Sequence, residues 1–557
     1  MEDKIKIIPL GGHDEFGKNL TVVEINDDIF VLNCGLKYPD KTKHGIDYII
    51  PRFDYLIENK HKIRGYFITR GQDIVLGGLA YVIKRAPAKI YCTNVTKDYI
   101  TSFAIHNHAK VDYDFDVVNS CDERIVANRK IRFFSTCTNS ANSFGIAIST
   151  DQGNIVYIDD FVVDTNGDSG FSFNSKMLST VSEENTLLCM LDSHYADKIG
   201  YTNPSYKLVP LIEQIFKDAQ GRIFIAIENQ DIYNIEKTIQ LAIKNNRKII
   251  AFDENTKDAL NVVINQPNSY LTKSHFATLD DLNRMRPQDI LVIMTGFGQR
   301  AFHKITLFAS GNYDDKRLKL LPGDTFIIGL HVNNSNEIIF TDSVDELYKN
   351  DEVKIYYYNK RQFKLMYASQ EDIKTMLSTF RPKYYVPTNG SYRQLLNNAM
   401  LSLDMGIGLN HMSVFVLDNG MVLSIDKSGA RISPQKVMTG ELLVDGLSIG
   451  DSDSDIISDR STLSGDGVIV LGVVVDLKNK MIVGGPDVQT RGLFFVKDSE
   501  AILKEVTKLF INIIENELKN DYFDKTHCEN EIRDIIFKAI RRNAQKSPLI
   551  IPLIATI

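Results

Sequence analysis

Between two stretches of short, punctuated strands lies a segment that reads strand, helix, strand: Gly221–Ile227, Ile232–Asn245 and Lys248–Phe252. It constrains the fold more than any other feature, because a parallel βαβ unit needs cover on both faces of its sheet. In the middle piece Ile232, Ile235, Ile239, Ala242 and Ile243 recur at helical spacing. Asp289–Met294 and Thr325–Ile328 add two near-continuous apolar strands, so residues 205–370 read as an α/β domain. Before it, Ile5–Pro9, Leu20–Glu24, Ile29–Leu32, Gly65–Thr69, Lys89–Cys92, Lys130–Ser135, Phe144–Ser149 and Asn154–Ile158 are apolar runs rich in β-branched and aromatic residues, bounded by turn formers. Leu76–Arg85 reads as a helix, and Lys383–Pro387 and Val414–Leu417 return to strands. Two β-rich halves with intervening helices predict a layered sandwich of sheets covered by helices.

Residues 441–465, rich in Gly, Ser and Asp, read as a linker. After it come a hairpin (Gly467–Asp476 and Met481–Val483), a helix with an apolar face over Glu500–Leu518, a second helix over Cys528–Asn543 and a strand, Leu549–Ala555. This is a compact α+β tail domain, 466–557. A length of 557 residues allows several domains, and 43% hydrophobic with 24% charged residues excludes a disordered chain. No apolar run reaches the roughly 18 residues of a membrane span. Six cysteines without a CxxC pair and an acidic, non-signal-like start predict a cytoplasmic protein without disulfides. A net charge of −7 gives no global nucleic-acid footprint, so any RNA contact must come from a local basic groove.

The informative turn is Phe67–Gly78, where a strand ends and Gly77-Gly78 lead into a helix. It resembles the metallo-β-lactamase signature "(F/L)-x-T-H-x-H-x-D-H-x-G-G", whose histidines and aspartate converge on two metal ions. Here those ligand positions read Arg70, Gln72, Ile74 and Val75. The resemblance then runs along the whole chain to ribonuclease J, a metallo-β-lactamase/β-CASP family of bacterial ribonucleases. Ile8–Asn19 matches "LGG-x-x-E-(I/F)-(G/A)-K-N", Gly45–Pro51 matches "GID-(Y/I)-(V/I)-IP", and Pro548–Pro552 matches "P-M-I-(I/L)-P". Gly200–Pro204 resembles the "GYNTP" of the family's second, weakly active paralogue.

The resemblance implies a metallo-β-lactamase αβ/βα sandwich (1–204 and 371–440) with a β-CASP α/β domain inserted at 205–370, then the linker and the C-terminal α+β domain. It implies a site binding two zinc or manganese ions, and nearly all its ligands are replaced. The family's turn aspartate falls on Asn33, a histidine on Cys137, the β-CASP histidine on Tyr233, the two histidines of the "H-T-S-G-H-G-G" loop on Phe363 and Tyr367, and the last histidine on Asn389. The bridging aspartate alone survives, as Asp160. No metal is expected. The remaining histidines do not regroup at ligand spacing, and His106 and His108, two apart on a helix, do not share a face. Asp160 needs a partner if buried. Either Arg70 enters the former metal cavity and pairs with Asp160 or Asp159, or it points to solvent or to RNA phosphate.

Arg300, Lys360, Arg361, Lys364 and Arg393 lie at the former cleft rim in this register, as candidates for gripping an RNA backbone or as ordinary solvated charge. Tyr356, Tyr357 and Tyr358 read as strand residues before base-stacking platforms. The functional expectation is a catalytically silent subunit that associates with an active ribonuclease J paralogue, and with RNA. It would form a homo- or hetero-dimer or tetramer through the C-terminal domain. The alternatives are a weakly active metal-dependent exo-/endoribonuclease built on Asp160, Asp73 and Cys137, and a stand-alone RNA- or ribosome-binding module.

Overall fold

The computed structural model describes residues 2–557 apart from 41–42, 108–109, 165–170, 172, 174, 203–207, 266–270, 334–335, 359–361, 363–365, 447, 452–454, 494–498 and 521. The chain forms two compact units, Met1–Lys37 with Ile50–Glu441, and Tyr38–Ile49 with Leu442–Ile557.

The first unit holds three sheets. One has eight strands in the order Gly429–Ile432, Leu423–Asp426, Ile5–Gly11, Leu20–Ile25, Asp28–Leu32, Ile63–Phe67, Ile90–Cys92 and Phe115–Val117. A second has six, in the order Tyr384–Thr388, Thr186–Asp192, Gly153–Ile158, Phe144–Thr150, Arg129–Ser135 and Glu123–Val126. Strands of residues 371–441 thus complete sheets begun before residue 200. Ile7, Phe30 and Phe67 of the first sheet pack with Phe133, Ile146 and Tyr157 of the second in one buried core, which makes the pair a sandwich.

The third sheet is parallel throughout, in the order Phe276–Ala277, Lys248–Ala251, Ile290–Gly296, Ile223–Glu228, Thr325–Gly329 and Lys354–Tyr357. Its inner strands are apolar at nearly every position because both faces are covered. Helix Ile232–Lys244 closes one face with Ile232, Ile235, Ile239 and Ala242. Two arginines lock the edge where the strands begin. Arg222 forks onto Asp324, and Arg247 donates to the carbonyls of Ala219 (2.6 Å), Gly221 (2.9 Å) and Ile290 (3.1 Å). The architecture is therefore a metallo-β-lactamase sandwich with an inserted β-CASP domain.

In the second unit the antiparallel hairpin Val468–Asp476 and Met481–Arg491 pairs in parallel with Leu549–Thr556. Helices Ser499–Lys519 and Lys525–Ala544 cover that sheet through Val506, Phe510, Ile514, Ile532 and Ile536. Among the described residues no helix is long and apolar enough to cross a membrane.

Three expectations need correction. The helix over Leu76–Arg85 is two short helices, Asp73–Leu76 and Leu79–Ile83. The break falls at Gly78, whose amide leaves the helical ladder to donate to the Cys34 carbonyl at 2.9 Å, and glycine stands there because a Cβ would lie 2.8 Å from the Gly35 carbonyl oxygen. Val414–Leu417 is not a strand: one bridge joins Val414 to Tyr385 and the run packs as loop. The linker composition of 441–465 conceals a hairpin, Glu441–Asp445 with Ser448–Asp451, followed by the helix Asp455–Asp466.

Glu228 ends the central strand of the parallel sheet and accepts a hydrogen bond from the His331 amide at 3.3 Å. Burial, reinforced by Asp231, pushes its carboxyl up to about 8 from 4.5. A raised folded-state value means that this group's contribution is complete below pH 4.5 and is lost as pH rises through about 8. Glu228→Gln should therefore match the native chain in urea denaturation at pH 4.5 and exceed it at pH 8.5.

Candidate functional site

Strand ends of the sandwich converge on one buried centre. Asn33 follows Asp28–Leu32 in a left-handed conformation (φ 62°), which asparagine tolerates better than most residues. Thr69, Arg70 and Gln72 follow Ile63–Phe67, Asp159 and Asp160 follow Gly153–Ile158, Asp192 ends Thr186–Asp192, and Asn389 follows Tyr384–Thr388. The short helix Asp73–Leu76 is held by main-chain bonds, by the Gln230 side chain, whose Oε1 accepts from the Asp73 amide at 3.3 Å, and by burial of Ile74, Val75 and Leu76. The carbonyls of Asp73, Ile74 and Val75 accept from the amides of Leu36 (3.0 Å), Asn19 (3.1 Å) and Cys34 (2.7 Å). A Cβ on Gly35 would lie 1.6 Å from the Ile74 oxygen, so glycine is required there.

At the centre sits Arg70, 1% exposed. Nη1 contacts Asp159 Oδ2 and Nη2 lies 2.7 Å from Asp160 Oδ2. Nε donates to Gln72 Oε1 at 2.8 Å, and Gln72 Nε2 donates onward to Asn139 Oδ1 at 2.8 Å. Asp159 accepts further bonds from Asn389 Nδ2 (2.6 Å), Asn33 Nδ2 (3.1 Å), Thr69 Oγ1 (3.2 Å) and Asn19 Nδ2 (3.3 Å). The Asn33 orientation is fixed by the Thr69 amide, an obligatory donor, which reaches Asn33 Oδ1 at 3.0 Å. Three positions that supply metal ligands in the resemblance, Asn33, Arg70 and Asn389, thus present N–H groups to a carboxylate. The polarity of the site is inverted: where lone pairs would surround a cation, donors surround an anion.

His194 is the residue that sequence reasoning missed. Its Nδ1 lies 2.7 Å from Asp192 Oδ1 and 3.8 Å from Asp160 Oδ1, so one histidine does regroup with the surviving aspartate. The available signal was Asp192-Ser-His194 at the end of an apolar, fully buried strand. Tyr367 stacks on the imidazole, with ring centroids 4.7 Å apart, and Phe16 meets it edge-on at 4.8 Å. Three buried carboxylates therefore share one guanidinium and one imidazole. Burial lifts Asp159 above the usual carboxylate range. It lifts Asp160 much further, because Asp192 and Asp159 add repulsion that Arg70 only partly offsets. Burial opposes charging of His194, yet Asp192 prevails and raises it. Burial likewise opposes charge on Arg70, and Asp159 and Asp160 hold it cationic.

These residues do not fit the family's two metal ions. Ile74 and Val75 carry no side-chain lone pairs. Cys137 is buried in an apolar cluster with Ala147, Val156 and Phe161, and Arg70 places a permanent cation beside Asp160. Among the described residues the groups with metal-ligand proximity are Asp160, Asp192 and His194, and Glu517, His527 and Glu531; Asp73 and Cys137 belong to neither. Tyr233 packs edge-on against Phe171, and its amide donates to Asn139 O at 3.1 Å. Arg300 is exposed on helix Gly298–Ala309, while Arg393 is 71% exposed and lies 3.4 Å from Asp197. Tyr356 and Tyr357 stand on the edge strand Lys354–Tyr357, and Tyr358 donates to Leu211 O at 3.0 Å. Lys360, Arg361, Phe363 and Lys364 lie outside the described residues.

Removing the guanidinium leaves uncompensated buried carboxylates. Arg70→Met should cost about 3–5 kcal/mol in chemical denaturation at neutral pH, and adding Asp160→Asn should recover part of it. Because Asp160 is raised in the folded state, its contribution is complete below its ordinary 3.8 and is lost as pH rises. The deficit of Arg70→Met should therefore narrow on acidification towards pH 4.

Comparisons with known proteins agree with this architecture. Residues 220–347 match the ribonuclease J β-CASP domain and residues 455–557 the ribonuclease J C-terminal domain. The protein named Ribonuclease J 2 of Staphylococcus epidermidis RP62A is 26% identical over 553 residues, covering 99% of this chain and 98% of that one. Ribonuclease J 2 of Staphylococcus saprophyticus is 27% identical over the same shares, and that of Staphylococcus aureus MRSA252 is 26% identical. A crystal structure of a protein of unknown function from Enterococcus faecalis V583 superposes with a TM-score of 0.51 at 12% identity, covering 76% of this chain and all of that one. The chain thus carries the β-CASP and C-terminal domains of ribonuclease J in family order, within a sequence similar to Ribonuclease J 2 from end to end.

Proposed function

We propose that this chain is a catalytically silent ribonuclease J subunit. It acts in cytoplasmic RNA processing and decay by associating with an active ribonuclease J paralogue, and with RNA. The observation that carries this reading is the inverted polarity around Asp159, with Arg70 lodged between Asp159 and Asp160. Two-metal hydrolysis of a phosphodiester depends on ions that polarise the phosphate and generate hydroxide near neutral pH. A guanidinium supplies fixed positive charge but ionises no water. Meanwhile the strands, the close glycines and the arginine locks of the β-CASP sheet persist, which fits a scaffold kept for binding. Self-association through the C-terminal domain is supported by the apolar side chains it leaves exposed on its sheet, among them Met481, Val483, Ile551 and Leu553.

A second reading, a weak one-ion ribonuclease, finds its donors in Asp160, Asp192 and His194 rather than in Asp73 and Cys137. Elemental analysis of chain purified without chelator, paired with cleavage of 5′-monophosphorylated RNA in manganese buffer, separates the two. The silent subunit should hold well under one ion per chain and cleave no faster than buffer alone. When mixed with an active paralogue it should co-elute and alter that enzyme's rate. One bound ion per chain, with cleavage abolished by Asp160→Asn, would overturn the proposal in favour of the second reading.

A further inference from the structure

The second unit brings together one mixed set of donor side chains at the corner between its two long helices. Glu517 stands in the last turn of helix Ser499–Lys519, and His527 in the first turn of helix Lys525–Ala544. Glu531 follows His527 by four residues, so the two share a helix face. One donor atom from each of the three lies within 4.8 Å of the other two, and Glu517 Oε2 is 3.8 Å from His527 Nδ1. Donors about 2.1 Å from one zinc ion lie at most about 4.2 Å apart. Glu517 and His527 already meet that limit. Glu531 is exposed and closes the set by turning about its side-chain bonds.

The surroundings orient these donors but leave their charge unmet. Glu517 is only 6% exposed. Its Oε1 accepts from the Asp524 amide at 3.2 Å and its Oε2 from Asn520 Nδ2 at 3.1 Å. Supporting bonds of this kind aim a carboxylate at a metal, yet both donors are neutral. Lys525 and Arg533, the basic neighbours on the second helix, lie at 4.0 and 3.9 Å from Glu529 instead. Among the described residues, the ion-pair partner of Glu517 is His527, and Glu531 has no lysine or arginine partner. A buried carboxylate that faces an imidazole and a second carboxylate is short of positive charge.

We infer that Glu517, His527 and Glu531 bind one zinc ion, which clamps the end of one helix to the start of the next. The imidazole sets the class of metal: magnesium and calcium take oxygen donors, whereas a mixed nitrogen and oxygen set suits zinc. Cys528 is not a ligand, because it is buried in the apolar core with Ile532 and Ile536. Water takes the fourth position. Three donors at the surface hold the ion reversibly, so dialysis removes it. The site shares no residue with the Asp160 centre and does not depend on whether that centre is silent.

Zinc chloride titrated calorimetrically into the dialysed full chain tests this. The native chain should take up one ion, and zinc should raise its thermal unfolding midpoint. His527→Ala and Glu531→Gln, both at exposed positions, should weaken binding by about tenfold or more, since even the supporting residues of a metal site are worth that much. They should also cancel the thermal shift, while circular dichroism reports an unchanged fold. Glu531→His should retain binding, because histidines four apart on a helix present two imidazoles to one ion. Asp160→Asn should bind zinc as the native chain does, and excess magnesium should not displace the ion. No zinc uptake, uptake unchanged by His527→Ala, or uptake lost in Asp160→Asn would each overturn the inference.

Discussion

The ion pair of Arg70 with Asp159 and Asp160 is what the rest of the sandwich is arranged around. Taking charges out of water costs several kcal/mol per ion, and such groups persist only with close geometry and full hydrogen bonding. Asp159 meets that demand with donors from five residues on four separate segments. The network therefore staples the ends of strands from both sheets to one anion. The consequence is structural as much as chemical: a centre that elsewhere in the fold would be organised by cations is here organised by covalently attached N–H groups.

Much of this architecture is legible in the sequence, for a specific reason. The parallel β-CASP sheet announces itself because strands covered on both faces must be apolar at almost every position, as Ile223–Glu228 and Ile290–Gly296 are. The tail domain is readable because its two helices are long enough to show periodicity. The failures share a cause too. Residues 441–465 form a hairpin and a helix despite a linker-like composition, since local propensity there is overridden by pairing. The Leu76–Arg85 run looks uniformly helical, yet a bond from the Gly78 amide to the distant Cys34 carbonyl sets the break. Neither constraint is local in sequence.

The site divides in the same way. Which ligand positions are replaced is what the register of the resemblance implies, and that needs no coordinates. What replaces them is a matter of three-dimensional convergence. The sequence leaves Arg70 beside Asp160 as one of two arrangements, whereas nothing in the spacing of the histidines marks His194. Its partners are carboxylates from two different strands, joined only by folding. Tyr367, which the resemblance sets at the position of a family histidine, closes over the imidazole by stacking.

The short helix carrying Ile74 and Val75 is positioned by main-chain carbonyls bonded to the amides of Asn19, Cys34 and Leu36. No side chain of the helix takes part in those three bonds. Those bonds do not depend on side-chain identity, whereas the buried Ile74 and Val75 restrict what can stand here to side chains that fit the same enclosed space. A segment fixed in this way can exchange its side chains within that space while its main chain stays in place, and the exchange can run in either direction.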